Sequence, residues 1–210
     1  MNTLVRCYDR AYEEIAKISR PSAQAFAGYN DLRLIELVYD DTMSKVKHVL
    51  DSFTHDVHID LILYADVDIL FTPKATLPLD MTGVDGVKPD HSESCPVWFS
   101  IDSAGICAGL FSMRRCHRTM DILEIWNRIG PLAMGGHGNR ITDQGTISML
   151  RKNVPWIFDS IGLISQNIVS NPECSPGWMA HHFWANGGEK WWGKMRSWVE
   201  IDKVLYHDSI

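Results

Sequence analysis

The 210-residue chain has no run of apolar residues approaching the roughly 18 that a membrane-spanning helix needs. Met1-Asn2-Thr3-Leu4-Val5-Arg6 also lacks the apolar stretch of a signal peptide, so a soluble, cytoplasmic protein is expected. The five cysteines (Cys7, Cys95, Cys107, Cys116 and Cys174) are odd in number and scattered, with no CxxC spacing. That argues against a disulfide framework and against a zinc ribbon. Basic residues are in the minority, 20 Lys and Arg against 26 Asp and Glu, giving a net charge of −6. A nucleic-acid backbone is therefore not the expected partner, and an anionic substrate would need local help from a metal or a few lysines and arginines. No repeat, low-complexity tract or shift in composition marks a second domain. Residues 1–210 read as one domain, whether whole or the first of a longer protein.

The most telling stretch is Leu61-Ile62-Leu63-Tyr64-Ala65-Asp66-Val67-Asp68, an apolar run ending on two carboxylates one residue apart. Burying carboxylates is costly unless they are paired or hold a metal. Two acids placed where a buried strand emerges point to a divalent cation. Mg²⁺ and Mn²⁺ take one or two protein carboxylates and leave other positions to substrate phosphates. The competing reading is a solvated turn after a buried strand.

Periodicity sets the frame around this pair. Strands are expected over 3–8, 31–39 and 59–64, and helices over 10–24 and 42–53, with Arg20-Pro21-Ser22 ending or interrupting the first helix. A loop follows over 72–95, then strands within 97–112 around Ser103-Ala104-Gly105, where glycine permits close approach. A helix is expected over 118–129, then a glycine-rich break at 135–139, and then a helix opening at Thr142-Asp143-Gln144 and running to Leu150. Strands alternating with helices predict a doubly wound, mainly parallel sheet with its ligand beyond the carboxyl ends of the strands. Five of the eight tryptophans, at 178, 184, 191, 192 and 198, crowd the C-terminal part.

Asp66-Val67-Asp68, Ser103-Ala104-Gly105, Asp143-Gln144, and His182-Phe183 followed by Gly187 and Lys190-Trp191 occur in a distinctive order. Together they resemble the GT-A nucleotide-sugar glycosyltransferases, above all the retaining glycogenin-like and galactosyltransferase-like families. A compact glycosyltransferase domain of large algal viruses is similar in form. The families carry Asp-x-Asp, Asn-(Ala/Ser)-Gly, an Asp-Gln helix start and a late His-Phe-x-Gly-x-x-Lys-Pro-Trp motif. The resemblance runs from the first strand to about Trp192.

It implies a Rossmann-like GT-A fold with a mixed, mainly parallel sheet flanked by helices. It also implies transfer of a sugar from a UDP-sugar to a glycan hydroxyl, with retention, dependent on Mn²⁺ or Mg²⁺. By the same resemblance Asp66, Asp68 and His182 are the metal ligands, with His181 as competitor, and Lys190 meets the diphosphate. Asp143 and Gln144 lie beside the transferred sugar, with a helix cap as the rival role. Arg6 and Tyr8 hold the base and ribose, a packing role being equally open for Tyr8. Lys45, Ser103, Ala104 and Gly187 complete the donor site, although a lone helix lysine is more often solvated.

The chain departs from the pattern at three places. Ser103 replaces asparagine with Asp102 beside it, Gly187 is more widely spaced from His182, and Trp191 follows Lys190 with no proline between. Trp178, Trp184, Trp191 and Trp192 offer flat faces for acceptor sugars, against ordinary core packing. Two other classes compete. A haloacid-dehalogenase-like phosphatase also uses Asp-x-Asp and Mg²⁺, but Leu70 occupies the position where that family has Thr or Val. A non-catalytic carbohydrate-binding module would bind glycan without nucleotide.

Overall fold

Alternation of side chains along the first strand decides the layering. The computed structural model describes residues 1–39, 44–72, 74–77, 96–102, 105–133, 143–164, 169–170, 179–183 and 193–199. Leu4 of β1 (Asn2–Tyr8) packs with Ala23, Phe26 and Ala27 of α1 (Glu13–Tyr29). Val5 and Cys7 point the other way, onto Val46, Val49 and Phe53 of α2 (Ser44–His55). The sheet is thus covered on both faces. Between β1 and α1 lies a single 3-10 turn, Arg10–Tyr12.

The main sheet has six strands in the order β2 (Arg33–Val38), β1, β3 (Leu61–Asp66), β6 (Gly105–Arg114), β5 (Val97–Asp102) and β7 (Ile161–Ile164). β2, β1 and β3 are mutually parallel, β6 is antiparallel to both β3 and β5, and β7 is parallel to β5, so only β6 runs against the rest. α3 (His117–Ala133), α4 (Asp143–Asn153) and α5 (Pro155–Ser160) lie on the α2 face, where Phe99, Phe111 and Trp126 form an aromatic core. A second, three-stranded sheet joins β4 (Ile69–Phe71), β9 (Ala180–His182) and β8 (Val169–Ser170) in that order. A further helical stretch covers residues 193–199.

One boundary differs in substance from the sequence reading. α1 continues through Pro21 to Tyr29. An interior proline removes a backbone hydrogen bond and costs on the order of 3 kcal/mol. The turns beyond it bury Ala23, Phe26 and Ala27, and Phe26 stacks on Phe71 with ring centroids 4.3 Å apart, so tertiary burial outweighs the break. The short strands β4, β8 and β9, of two or three residues each, are too brief for periodicity to register. Of the expected 72–95 loop, residues 73 and 78–95 lie outside the described residues, as do the 135–139 break and Thr142. Among the described residues no helix is long and apolar enough to cross a membrane.

Candidate active site

Cys7 stands opposite Asp66 in the β1–β3 ladder. In the sheet order the chain passes from β1 to β2 on one side and from β3 to β5 and β6 on the other, so the strand order reverses between β1 and β3. Open sheets of this kind bind ligands at the carboxyl ends there. Asp66 closes β3 and shares a face with Tyr64 two residues earlier, as the pleat requires. The Tyr64 hydroxyl donates to Asp66 Oδ1 at 2.6 Å.

Lys45, in the first turn of α2, is buried between two carboxylates. Its Nζ lies 3.4 Å from Asp66 Oδ2 and forms a closer ion pair with Asp143 at the start of α4. A cation at a helix N-terminus opposes the macrodipole, whereas Asp143 at the start of α4 agrees with it. Burial alone would lower the pKa of Lys45, but Asp66 and Asp143 outweigh burial and hold it well above the usual lysine range. Trp126 fixes the other end of this network, its indole N–H donating to the Asp143 carbonyl at 3.0 Å. Burial pushes the Asp66 carboxyl up from 3.8 to about 6, with Lys45 opposing and Asp68 and Asp143 adding to the rise.

Strand register brings His182 to Asp68. β4 and β9 pair antiparallel with Ile69 opposite His182, and the Phe183 N–H donates to the Asp68 carbonyl at 2.8 Å. His182 Nε2 then lies 3.3 Å from Asp68 Oδ1. Burial by itself lowers the pKa of His182, but Asp68 and Cys107 outweigh it and raise it well above the ordinary value. His181 takes the opposite face, packed on Phe183 and stacked on Trp198 at 5.5 Å. Burial, helped by His182 and Lys194, lowers its pKa to about 4, so it is neutral at pH 7. Of the two histidines, His182 is the one turned to the acidic pair.

β6 supplies the floor. Phe99 of β5 pairs with Phe111, but Ser100 pairs with Cys107, so β6 bulges between them. Bulges re-aim side chains, and this one turns Cys107 and Gly109 to His182. Cys107 Sγ lies 3.4 Å from His182 Nδ1. A methyl group on Gly109 would stand 2.9 Å from His182 Cε1, 3.1 Å from its Nε2 and 3.2 Å from Asp66 Oδ2. The missing side chain is what leaves room between the carboxylate and the imidazole.

Several expected residues have other surroundings. Arg6 is fully buried, with Nη1 2.8 Å from Glu36 Oε1 and Nη2 on the Ser19 hydroxyl, so in this arrangement it has no surface to offer a donor. Burial lowers its pKa to about 10 against the pull of Glu36. Tyr8 is buried at the end of β1, with its hydroxyl 3.4 Å from Arg20 Nη2. Gln144 is half-buried one residue into α4. Ser103, Ala104, Gly187, Lys190, Trp178, Trp184, Trp191 and Trp192 lie outside the described residues.

A second Ala-Gly pair, Ala108-Gly109, lies against this network, four residues beyond the one singled out in the sequence. Lys45 Nζ donates to the Ala108 carbonyl at 3.4 Å. A mid-strand glycine was the available signal for it, and the period of two was the signal for Tyr64.

Among the described residues no three His, Cys, Asp or Glu side chains already converge on one point. The donors present are nevertheless of the right kind. Carboxylate oxygens at 66 and 68, an imidazole nitrogen at 182 and the gap over Gly109 suit Mn²⁺ or Mg²⁺.

The sheet order with β6 reversed, and the acids at the carboxyl ends of its parallel strands, define a GT-A-like glycosyltransferase fold. The chain superposes with TM-score 0.65 on a glycosyltransferase involved in glycosylation of the major capsid of the virus PBCV-1, at 10% identity, covering 95% of this chain and 99% of that one. It also matches the glycosyltransferase GlyE of Streptococcus pneumoniae with TM-score 0.57 and 12% identity, covering 99% of this chain and 64% of GlyE. The apo form of GlyE gives 0.58 and 13%, covering 98% of this chain and 64% of that one. No protein-family model and no curated protein matches the sequence.

Proposed function

We propose that this chain is a glycosyltransferase that moves a sugar from UDP to a glycan hydroxyl, with Mn²⁺ or Mg²⁺ and with retention of configuration. The observation that carries the reading is that Asp66 Oδ2 and His182 Nε2 border the gap over Gly109, with Asp68 Oδ1 3.3 Å from that nitrogen, in a glycosyltransferase fold. These three residues would hold the cation, which when bound offsets negative charge developing on the departing diphosphate. Lys190, carried by the motif after His182, would add its ammonium to the same charge.

Asp143 and Gln144 open α4 toward the transferred sugar. The Asp143 carboxylate is already engaged by Lys45, which suits it to accept sugar hydroxyl protons rather than to attack carbon. The acceptor oxygen would then attack the anomeric carbon on the face from which the diphosphate oxygen departs, its proton passing to that phosphate.

The test is UDP release from a panel of UDP-sugars with Mn²⁺, followed by NMR of the product anomer. At least one donor should be turned over, and turnover should stop with chelator and in Asp68→Asn. Turnover that survives both would remove the metal-dependent reading.

A further inference from the structure

His182 presents its two nitrogens to different partners. Nε2 lies 3.3 Å from Asp68 Oδ1 and, with Asp66 Oδ2, borders the gap over Gly109. Nδ1 lies 3.4 Å from Cys107 Sγ. A neutral imidazole carries one proton, so the nitrogen that donates a hydrogen bond leaves the other with its lone pair. A ligating histidine is tuned through that donating nitrogen, ordinarily by a carboxylate, a carbonyl or water. Here a buried thiol stands in that place.

The construction of β6 delivers the thiol. Ile106 and Ala108 pack into the same cluster as Phe111 and Met113, an even-to-odd change of phase that the bulge produces. Cys107 and Gly109 are thereby turned out of that cluster to the imidazole. The buried Ser100 hydroxyl bonds the Leu110 carbonyl at 2.9 Å and the Cys107 carbonyl at 3.4 Å, holding both ends of the bulge. A carboxylate in this place would add a third buried acid beside Asp66 and Asp68, at considerable desolvation cost. A thiol orients the ring without that charge.

We propose that Cys107 is a positioning residue for His182, its sulfur accepting the Nδ1 proton, fixing the ring plane and leaving the Nε2 lone pair directed at the gap beside Asp66 and Asp68. The inference rests on the reading of Asp66, Asp68 and His182 as cation ligands.

Two measurements separate the inference from that reading. In the full chain saturated with Mg²⁺ and carrying ¹⁵N-labelled histidine, long-range ¹H–¹⁵N couplings of His182, assigned by their loss in His182→Gln, show which ring nitrogen is protonated. With the cation bound, Nδ1–H and a bare Nε2 are expected in the wild type and in Cys107→Ser, whose hydroxyl accepts the same bond, while Cys107→Ala should keep a population protonated at Nε2, toward Asp68. A wild-type ring that keeps a proton on Nε2 while Mg²⁺ is bound overturns the inference.

The second measurement is titration with Mn²⁺ alone, followed by the EPR signal of the free ion. Cys107→Ala should weaken binding about 10-fold and Cys107→Ser should restore most of it. Equal affinity in wild type and Cys107→Ala overturns the positioning role while leaving the metal reading standing. No Mn²⁺ binding by the wild type overturns both. Should Cys107→Ala fail to fold, Cys107→Ser and the wild-type couplings decide the matter.

Discussion

Replacing Lys45 with methionine keeps an unbranched apolar side chain of similar length but removes the charge between Asp66 and Asp143. Lys45 has 7% of its side chain exposed, Asp143 11% and Asp66 26%, so the two acids left behind remain largely out of water. Breaking a buried pair by removing one partner costs about 3–5 kcal/mol, a large share of the roughly 5–15 kcal/mol that holds a domain together. For a chain of this size the melting midpoint should fall by about 6–20 °C.

The pH dependence identifies the cause. The folded pKa of Lys45 lies above its unfolded value, so its contribution is fully present below the ordinary lysine pKa and constant across the acid and neutral range. Asp66 has the same sign, its folded pKa being raised, but its window falls within that range. Asp66 already titrates near 6 when folded, and without Lys45 it would be raised further, so the folded state holds extra protons and loses stability as pH rises. The deficit of Lys45→Met, measured by urea unfolding with chelator present, should therefore widen between pH 4 and pH 8. A difference under about 1 kcal/mol that does not vary with pH would refute the network.

Three further outcomes are expected. Gly109→Ala places a methyl 2.9 Å from the His182 ring, so Mn²⁺ binding followed by EPR should weaken at least about 10-fold while far-UV circular dichroism stays native. Arg6→Met should cost about 1–3 kcal/mol in urea unfolding, less than Lys45→Met, because Glu36 keeps Arg20 as partner. In a Cys95→Ser, Cys174→Ser background, Ellman's reagent should titrate only the exposed Cys116. Cys7, whose thiol burial pushes up to about 12, and the buried Cys107 should react only on unfolding.

The alternating strands and helices and the acidic pair were legible because each is local. Period two carries β1 and β3 on their own residues, and the two acids announce themselves by breaking an apolar run. What was hidden is nonlocal. Pro21 reads as a helix end until α1 is seen to bury Phe26 against Phe71, 45 positions away. Arg6 at a strand's end reads as a ligand contact until Glu36, on the neighbouring strand, is seen to claim it. Lys45 is expected at the donor site, with a solvated lysine as the rival, but its ion pair with Asp143 depends on how α4 packs against α2. The choice between His181 and His182 turns on the register of a three-residue strand against β4, which no spacing in the sequence encodes. Cys107 and Gly109 are aimed by a bulge whose partner residue, Ser100, carries no distinctive local signal.

The most direct test of the central claim is calorimetric titration of UDP into the chain with Mn²⁺ and then with chelator, on wild type, Asp68→Asn and His182→Gln. Saturable binding by the wild type that needs Mn²⁺ and is weakened at least about 10-fold in both variants is expected. UDP binding that is indifferent to Mn²⁺ and to both substitutions, or no binding under any condition, would contradict it.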